Sequence, residues 1–218
     1  MLCVAGGAQA GRPLSTDDAG VIPQGECQVE SWYQSADGAH ETHLAPGCGI
    51  GHDTEFDAEA IHLSPAVDDR DAFVVQLKTA LPTLDAYGWS FAAKLNAGAV
   101  HPAGGNQWRS DAYSATGIAT HHLGDDLDLH LNLGAERRQR ERITATTYAA
   151  ALVWNAAPQA LLFAEVLGDD KAGATQTLGA RWWLQPERIG LDLTVGRQAG
   201  VPDSRFITVG LCFYGLGR

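Results

Sequence analysis

The stretch DLDLHLNLG, residues 126–134, alternates leucines with polar side chains. Its four leucines occupy every second position, and the polar residues between them are Asp128, His130 and Asn132. Successive side chains of a β-strand point to opposite faces, so the stretch predicts a strand with one aliphatic and one polar face. Such a strand separates a protein core from water in a soluble sandwich, or lipid from a wet lumen in an outer-membrane barrel.

The same alternation recurs along the chain and predicts about twelve strands. Most of them approach the roughly nine to eleven residues that a tilted strand needs to cross a membrane. No segment has the helical period, and no shift in composition marks a second domain in the barrel region. The predicted strands are 27–34, 41–49, 55–63, 72–81, 89–97, 112–121, 127–135, 146–155, 161–167, 175–184, 189–195 and 206–214.

Composition excludes several classes of protein. The chain has 218 residues and a net charge of −11, and it has no apolar run long enough for a transmembrane helix. The acidic balance argues against nucleic acid as a partner, because phosphate binding needs clustered Lys and Arg. One basic run, formed by Arg137, Arg138, Arg140 and Arg142, lies between two predicted strands. We interpret it as a loop outside the cell that could bind lipopolysaccharide phosphates. A solvated loop without a specific role is the alternative.

The chain divides into three predicted parts. Residues 1–10 end in Ala8-Gln9-Ala10, the small-residue spacing of a secretory signal peptide, and are interpreted as the remnant of one. An ordinary flexible N-terminus is the alternative. Residues 11–25 form a polar periplasmic lead, whose carboxylates are expected to cap backbone amides or to pair with bases in the lumen. Residues 26–218 form the barrel.

Two cysteines flank a predicted hairpin whose turn is Asp37-Gly38, a strong two-residue hairpin signal. If these two residues are the centre of the turn, Ala36 faces Ala39 and the register brings Cys27 opposite Cys48. Directly opposed residues are close enough for a cross-strand disulfide. The spacing therefore favours a disulfide and an oxidising compartment. Two reduced, packed thiols are the alternative.

Connections and aromatic residues favour the membrane barrel over the soluble sandwich. Connections between predicted strands alternate between short turns and longer polar loops, as periplasmic turns and extracellular loops do in outer-membrane barrels. The Asp37-Gly38 turn is the exception. Aromatic residues near strand ends suit the two interfacial girdles of such a barrel. They include Tyr33, Trp89, Tyr113, Tyr148, Trp154 and Tyr214.

The lead and first strand, RPLSTDDAGVIPQGECQVESW at residues 12–32, resemble the N-terminus of the outer-membrane family named for the MetA pathway of phenol degradation. Members of that family typically begin with an Arg-Pro-Leu-Thr-Thr-Asp-Asp-Ala-like motif, in which Ser15 here replaces the first Thr. The specific resemblance covers about a tenth of the chain. It implies an outer-membrane barrel with a link to transport of aromatic compounds. The chain departs from the usual barrel ending, because Gly-Leu-Gly-Arg follows Phe213-Tyr214.

If the apolar face meets lipid, the charged residues of the other face point into the lumen. A salt-bridge lattice that stiffens the wall and a constriction that screens solutes by charge are both compatible with them. Two groups are predicted, one on the early strands and one, from Asp128 to Arg181, on the far wall. The lumen-facing candidates are Glu30, Glu55, Asp57, Glu59, Lys78, Lys94, Asp128, His130, Glu165 and Arg181.

No catalytic motif, metal site or cofactor site is predicted. Asp128, His130 and Asn132 share one face but lack a nucleophile motif such as G-x-S-x-G, and the chain has no H-E-x-x-H or C-x-x-C. His121 and His122 are adjacent, so on a strand they point to opposite faces and cannot easily bind one metal.

These observations together predict a closed antiparallel transmembrane β-barrel of about twelve strands in the bacterial outer membrane. We expect a monomer that passes or binds small, potentially aromatic solutes. Its expected partners are outer-membrane lipid, lipopolysaccharide and the barrel assembly machinery. Two alternatives stay open at this point: a closed structural or interaction barrel without transport, and a soluble secreted β protein that binds a ligand.

Overall fold

The structure, a computed structural model, describes residues 14–36, 39–64, 70–102, 104–201 and 204–217. Within these ranges the chain forms twelve strands and a short 3-10 turn, Pro82–Leu84. The strands are β1 (Cys27–Ala36), β2 (Ala39–Gly49), β3 (Thr54–Ser64), β4 (Arg70–Ala80), β5 (Trp89–Pro102), β6 (Arg109–His122), β7 (Leu127–Arg138), β8 (Ile143–Ala157), β9 (Ala160–Asp169), β10 (Thr175–Gln185), β11 (Ile189–Gln198) and β12 (Phe206–Leu216). The predicted signal remnant at residues 1–10 and the Asp37-Gly38 turn lie outside the described residues. No helix among the described residues is long and apolar enough to cross a membrane.

The strands close into a barrel. Each strand pairs antiparallel with its neighbours in the chain, and β1 pairs antiparallel with β12, where Val29 faces Phe213 and Tyr33 faces Val209. Because both edges of the sheet are bonded to each other, no unpaired strand edge is left. The prediction of a closed, all-β antiparallel barrel of about twelve strands is confirmed.

The two ends of the barrel are named here by the strand ends and connections that lie at them. Cys27 pairs with Leu216 at one end, here called the terminal end, and the β1–β2 connection lies at the other, the far end. The predicted long basic loop at the far end is shorter than expected. Strand pairing continues until Arg138 faces Ile143, so only residues 139–142 connect β7 and β8.

The wall has an inverted polarity compared with a soluble protein. Large apolar side chains point outward and stay exposed, as in β7, where Leu133 is 64% exposed. Their polar neighbours point inward, and Asn132 is 9% exposed. The alternation seen in the sequence therefore separates an apolar exterior from a polar interior. This polarity suits lipid outside and a hydrated lumen inside.

Aromatic side chains cluster near both ends of the outer surface. Tyr33, Tyr113 and Tyr148 lie towards the far end, and Trp154 lies towards the terminal end, all at least 40% exposed. Tyr214 was predicted to belong to the same girdles, and this prediction is wrong. Its side chain is 2% exposed and points inward, because it shares the face of the inward-pointing residues of β12 and finds charged partners there.

The first hairpin has the predicted register. Ala36 faces Ala39, and Cys27 faces Cys48 across β1 and β2. The two cysteines form a disulfide that joins residues 21 positions apart in the chain. The disulfide prediction is confirmed. Cys212, the remaining cysteine of the described residues, is a buried free thiol on β12.

Leu131 lies in the middle of β7 on the outer face. We expect Leu131→Arg to lower the free energy of unfolding by about 2–4 kcal/mol in lipid vesicles, because a guanidinium would replace an apolar group at the bilayer midplane. Denaturant titration followed by tryptophan fluorescence measures the loss. Leu131→Ile and the inward-facing Asp128→Asn are the controls and should stay near the wild-type value. Equal tolerance of Leu131→Arg and Asp128→Asn would refute the lipid-facing assignment.

Candidate functional site

A segment of the lead, residues 14–22, lies inside the barrel and forms part of its interior. It reaches the lumen along β2 near the terminal end, where Gln24 bridges Gly49 and the amide of Gly25 donates to the Gly49 carbonyl at 3.1 Å. A Cβ at Gly49 would lie 2.3 Å from the carbonyl oxygens of Ile22 and Pro23. Glycine at this position therefore allows the lead to pass against the wall. We call residues 14–22 the internal segment.

Glu165 of β9 binds Ser15 and Thr16, near the N-terminal end of the internal segment. Its Oε2 accepts hydrogen bonds from the amides of Ser15 at 2.8 Å and Thr16 at 2.5 Å, and from the Thr16 hydroxyl at 2.6 Å. Its Oε1 accepts from the hydroxyl of Thr177 at 2.9 Å. A carboxylate that accepts several N–H and O–H donors is well satisfied in a buried site. Glu165 is thus an anchor for the internal segment.

Side chains of β6 and β7 bind the next residues of the internal segment. Asn132 accepts from the amide of Asp17 at 2.8 Å and donates its Nδ2 to the Asp17 carbonyl at 2.9 Å. The hydroxyl oxygen of Thr120 accepts from the amide of Ala19 at 2.9 Å and lies 3.0 Å from Nδ1 of His130. Asn132 therefore offers the segment one donor and one acceptor, as a neighbouring strand would.

Acidic side chains of the internal segment pair with bases on the wall. Lys78 is 1% exposed; its Nζ lies 3.1 Å from Oε1 of Glu55 and 3.9 Å from Oδ1 of Asp18. The other carboxylate oxygen of Glu55 accepts from the amide of Ile22 at 2.6 Å. Lys94 donates to the carboxylate of Asp17. A buried charge without a partner would be very unfavourable, so these pairs are needed for the polar interior to fold.

Two polar cavities flank the internal segment. The larger, of about 240 Å³, lies towards β1–β4, and the smaller, of about 180 Å³, lies towards β5–β8. Ser15, Asp17 and Lys94 line both of them. The Asp17–Lys94 ion pair therefore stands between two spaces that are each large enough for several water molecules.

The remaining acids predicted on the early strands face the same interior. Asp57 lies over Gly47, where a Cβ would come 1.9 Å from its Oδ1. Oε1 of Glu59 lies 2.7 Å from Nδ1 of His43, within hydrogen-bond distance. The His43 ring stacks on Trp32 with centroids 4.4 Å apart. Asp57 and Glu59 both line the larger cavity.

The predicted group of Asp128, His130, Glu165 and Arg181 does not form. Asp128 pairs with His122 at 2.5 Å near the end of β7, and His130 contacts Thr120. Glu165 binds the internal segment instead. The four residues share the inward face but lie on three different strands, and each finds a nearer partner on an adjacent strand or on the lead.

Arg181 belongs to a separate buried network at the seam where the barrel closes. Its guanidinium forms a two-pronged ion pair with Asp192 at 2.7 and 2.8 Å and donates to the Tyr214 hydroxyl at 2.7 Å. Tyr214 in turn donates to Glu30 at 2.7 Å. The guanidinium also lies over the ring of Trp183, 5.0 Å from its centroid. The network links β10 and β11 to β12 and β1, which strengthens the closure.

Several functional side chains have no motif in the sequence. Asn132 and Asp192 fit the polar parity of their strands, and this parity is the signal that could have found them. Thr120 and His43 sit on strands whose alternation is less clear, and Tyr214 follows an aromatic pattern that suggests the outer surface. Their roles depend on where the internal segment and the closing seam lie.

One arginine of the basic run has a different role from the one predicted. Arg138 points towards the mouth of the lumen and pairs with Glu136 and Asp169, both at 2.5 Å. Its charge is compensated by these carboxylates, and the predicted phosphate contact of the basic run stays a prediction. Arg137 points outward and donates to Thr144 at 3.3 Å.

Among the residues that the structure describes, no group of three or more His, Cys, Asp and Glu side chains is arranged to hold a metal ion. Polar groups of the interior instead bind one another and the backbone of the internal segment, as Glu165 and Asn132 do. What the site can do chemically is bind and orient polar groups in a confined, hydrated space.

Comparison with known proteins gives one family and a set of similar folds. The family model described as "Uncharacterised conserved protein UCP029691" matches residues 1–213. No curated protein matches the sequence significantly. The resemblance to the phenol-degradation family is not confirmed by these comparisons, although the outer-membrane barrel that it implies matches the folds found.

Three solved structures illustrate the fold similarity. A KdgM porin has a TM-score of 0.69 at 10% identity, over 85% of this chain and 98% of its own. A NanC porin has a TM-score of 0.62 at 12% identity, over 86% and 98%. An outer membrane channel from Pseudomonas putida F1 has a TM-score of 0.56 at 12% identity, over 92% and 99%. At such identities the likeness concerns the fold.

The Arg181–Asp192 pair provides a test of how the seam is held. We expect Asp192→Leu to lower the free energy of unfolding by about 3–5 kcal/mol, because it leaves a buried guanidinium without its carboxylate. The double variant Arg181→Met/Asp192→Leu should recover a large part of that loss. Denaturant unfolding of the folded barrel in vesicles measures both. A double variant as unstable as Asp192→Leu would contradict the expectation.

Proposed function

We propose that this chain, which belongs to the family described as "Uncharacterised conserved protein UCP029691", is an outer-membrane barrel that passes small solutes through a lumen narrowed by its own internal segment. The observation that carries the proposal is the inverted polarity of a closed wall. A single layer of strands has large apolar side chains outside and buried charged side chains inside. This arrangement is stable when lipid covers the exterior.

The proposed location is the bacterial outer membrane. Two outer aromatic zones, one towards each end, support this location, because such side chains favour the interface between headgroups and hydrocarbon. The Cys27–Cys48 disulfide supports an oxidising compartment. We propose a monomer that the barrel assembly machinery inserts, with the terminal end towards the periplasm.

The internal segment sets the proposed size limit for the solute. The two cavities of about 240 and 180 Å³ lie on opposite sides of the Asp17–Lys94 pair. Water and small solutes fit in such spaces, whereas an unfilled barrel of this strand number would be wider. Movement of the internal segment away from its anchors would join the two spaces. We therefore propose that this segment controls conductance.

The charge of the lining indicates which solutes the lumen accepts. The described lining of the larger cavity carries one ammonium group and five carboxylates. The ammonium group is Lys94, and the carboxylates are Asp17, Glu30, Glu55, Asp57 and Glu59. A lining in which carboxylates outnumber ammonium groups attracts cations and repels anions. We propose small cationic and neutral solutes, and the resemblance in the lead adds aromatic compounds to the neutral class.

A closed structural barrel is the second candidate. The number of hydrogen bonds between wall and internal segment favours it, because each of Ser15, Thr16, Asp17, Ala19 and Ile22 donates its amide to a wall side chain. In this case the segment would act as a permanent polar core. The two candidates differ in whether ions cross the barrel.

The first experiment combines gel mobility with bilayer recording. The folded chain in detergent is run on SDS gels with and without boiling, and a heat-dependent shift is expected because closed barrels resist SDS. The same preparation is then added to planar bilayers in potassium chloride. We expect small channels that prefer potassium over chloride, measured as a reversal potential in a salt gradient. A chain that is soluble without detergent and shows no shift would favour the soluble ligand-binding alternative.

Release of the internal segment provides the sharper test. Glu165→Ala removes the acceptor of three hydrogen bonds from Ser15 and Thr16, so we expect a larger single-channel conductance than in the wild type. Asp128→Asn is the matched control, because it changes an inward acid that binds His122 and leaves the internal segment anchored. If neither the wild type nor Glu165→Ala conducts ions although both are folded, the closed barrel is favoured.

A further inference from the structure

Two arginines lie side by side on the outer surface at the far end of the barrel. In the β11–β12 ladder Gly196 faces Phe206, and the next residues towards the far end are Arg197 and Arg205. Both are exposed and share the outward parity of Val195 and Ile207. Gln176 of β10 faces Arg197 in the neighbouring ladder. The three polar side chains thus form a row across adjacent strands, here called the rim row.

The rim row brings two positive charges together, and several carboxylates described at the far end of the wall are paired with other residues. Like charges that face each other across two strands destabilise a sheet. Arg197 donates to the neutral amide oxygen of Gln176 at 3.3 Å. The carboxylates that form ion pairs in the described part of the far end, such as Asp169 and Glu136, bind Arg138 instead. An anionic group placed between the two guanidiniums would offset their repulsion.

An apolar groove of about 900 Å³ begins at the rim row and runs along the outer wall. Arg197, Arg205 and Gln176 line its polar end. Larger aliphatic side chains border the rest, and the small side chains of Ala150 and Ala164 lie between them. The aliphatic residues are Leu129, Leu152, Val166, Leu178 and Val195. A ligand that fits the whole groove has an anionic head and hydrocarbon chains.

We propose that this groove binds a phosphorylated lipid of the lipid A type, with a phosphate between Arg197 and Arg205 and an acyl chain over Ala150 and Ala164. Guanidinium groups bind phosphate oxygens through paired, charge-assisted hydrogen bonds. The inference rests on the proposed function, which puts the far end in the outer leaflet. It places a lipopolysaccharide contact at the rim row, whereas in the basic run Arg138 is already paired with carboxylates of the protein.

The test measures binding of purified diphosphoryl lipid A to the folded barrel in neutral detergent micelles by native mass spectrometry. The double variant Arg197→Gln/Arg205→Gln should bind lipid A at least about tenfold more weakly than the wild type, since two charge-assisted contacts are removed. Arg137→Gln is the matched control, because it removes an outward arginine of the far end that lies away from the groove. It should bind as the wild type does.

A second variant tests the apolar half of the site without changing charge. Ala164→Phe fills the groove and should also weaken lipid A binding, while inorganic phosphate at millimolar concentration should not displace the lipid. Wild-type binding in the double variant, or in Ala164→Phe, would overturn the proposal. Full displacement by inorganic phosphate would overturn it too, because it would indicate a simple anion site.

The outcome is separable from that of the proposed function. Heat-dependent gel mobility confirms that each variant is folded, and bilayer conductance is recorded on the same preparations. A barrel that conducts but binds lipid A equally in all variants would refute the lipid site alone. A folded barrel that binds lipid A through the rim row but never conducts would refute the channel and retain the site.

Discussion

The hydrogen-bonded pairing of β1 with β12 is the constraint on which the rest of the structure depends. It removes the two free edges that any open sheet would expose, so every strand of the wall has a partner on both sides. Only such a wall can place its apolar face in hydrocarbon, where an unpaired backbone group would be very unfavourable. Once the leucines of β7 and its neighbours face outward, the alternation of a strand forces their polar neighbours inward.

That inversion gives the protein an unusual core. A soluble domain fills its interior with apolar side chains, whereas this interior contains Glu55, Lys78, Glu165 and Arg181, each buried. The backbone of the wall is already paired and has few groups to offer them. The internal segment supplies partners for the two carboxylates, Glu55 and Glu165, because its amides are not committed to any strand. Its amides donate hydrogen bonds to carboxylates of the wall, as the amides of a neighbouring strand donate to backbone carbonyls.

The same contacts connect stability with the proposed passage of solutes. A segment that satisfies buried charges also occupies the space through which a solute would pass, so its anchors oppose opening. In the seam network of Arg181, Asp192, Tyr214 and Glu30, the buried charges have partners within the wall. On the outer rim the two arginines of the rim row face each other over an apolar groove. The contrast separates charges that hold the fold from charges suited to a ligand.

The strands, the two faces and the first hairpin could be predicted from the sequence. The alternation of residues 126–134 recurs in most strands, and parity is a local property that follows from the geometry of one extended chain. The register of Cys27 and Cys48 followed in the same way from a turn only two residues long. The tertiary structure was needed to show that Glu165 binds the lead, that Asp128 and Arg181 lie apart, and that Tyr214 joins Arg181 to Glu30. Partners across a lumen depend on strand tilt, on closure and on the path of the internal segment, and none of these is encoded in the pattern of a single strand.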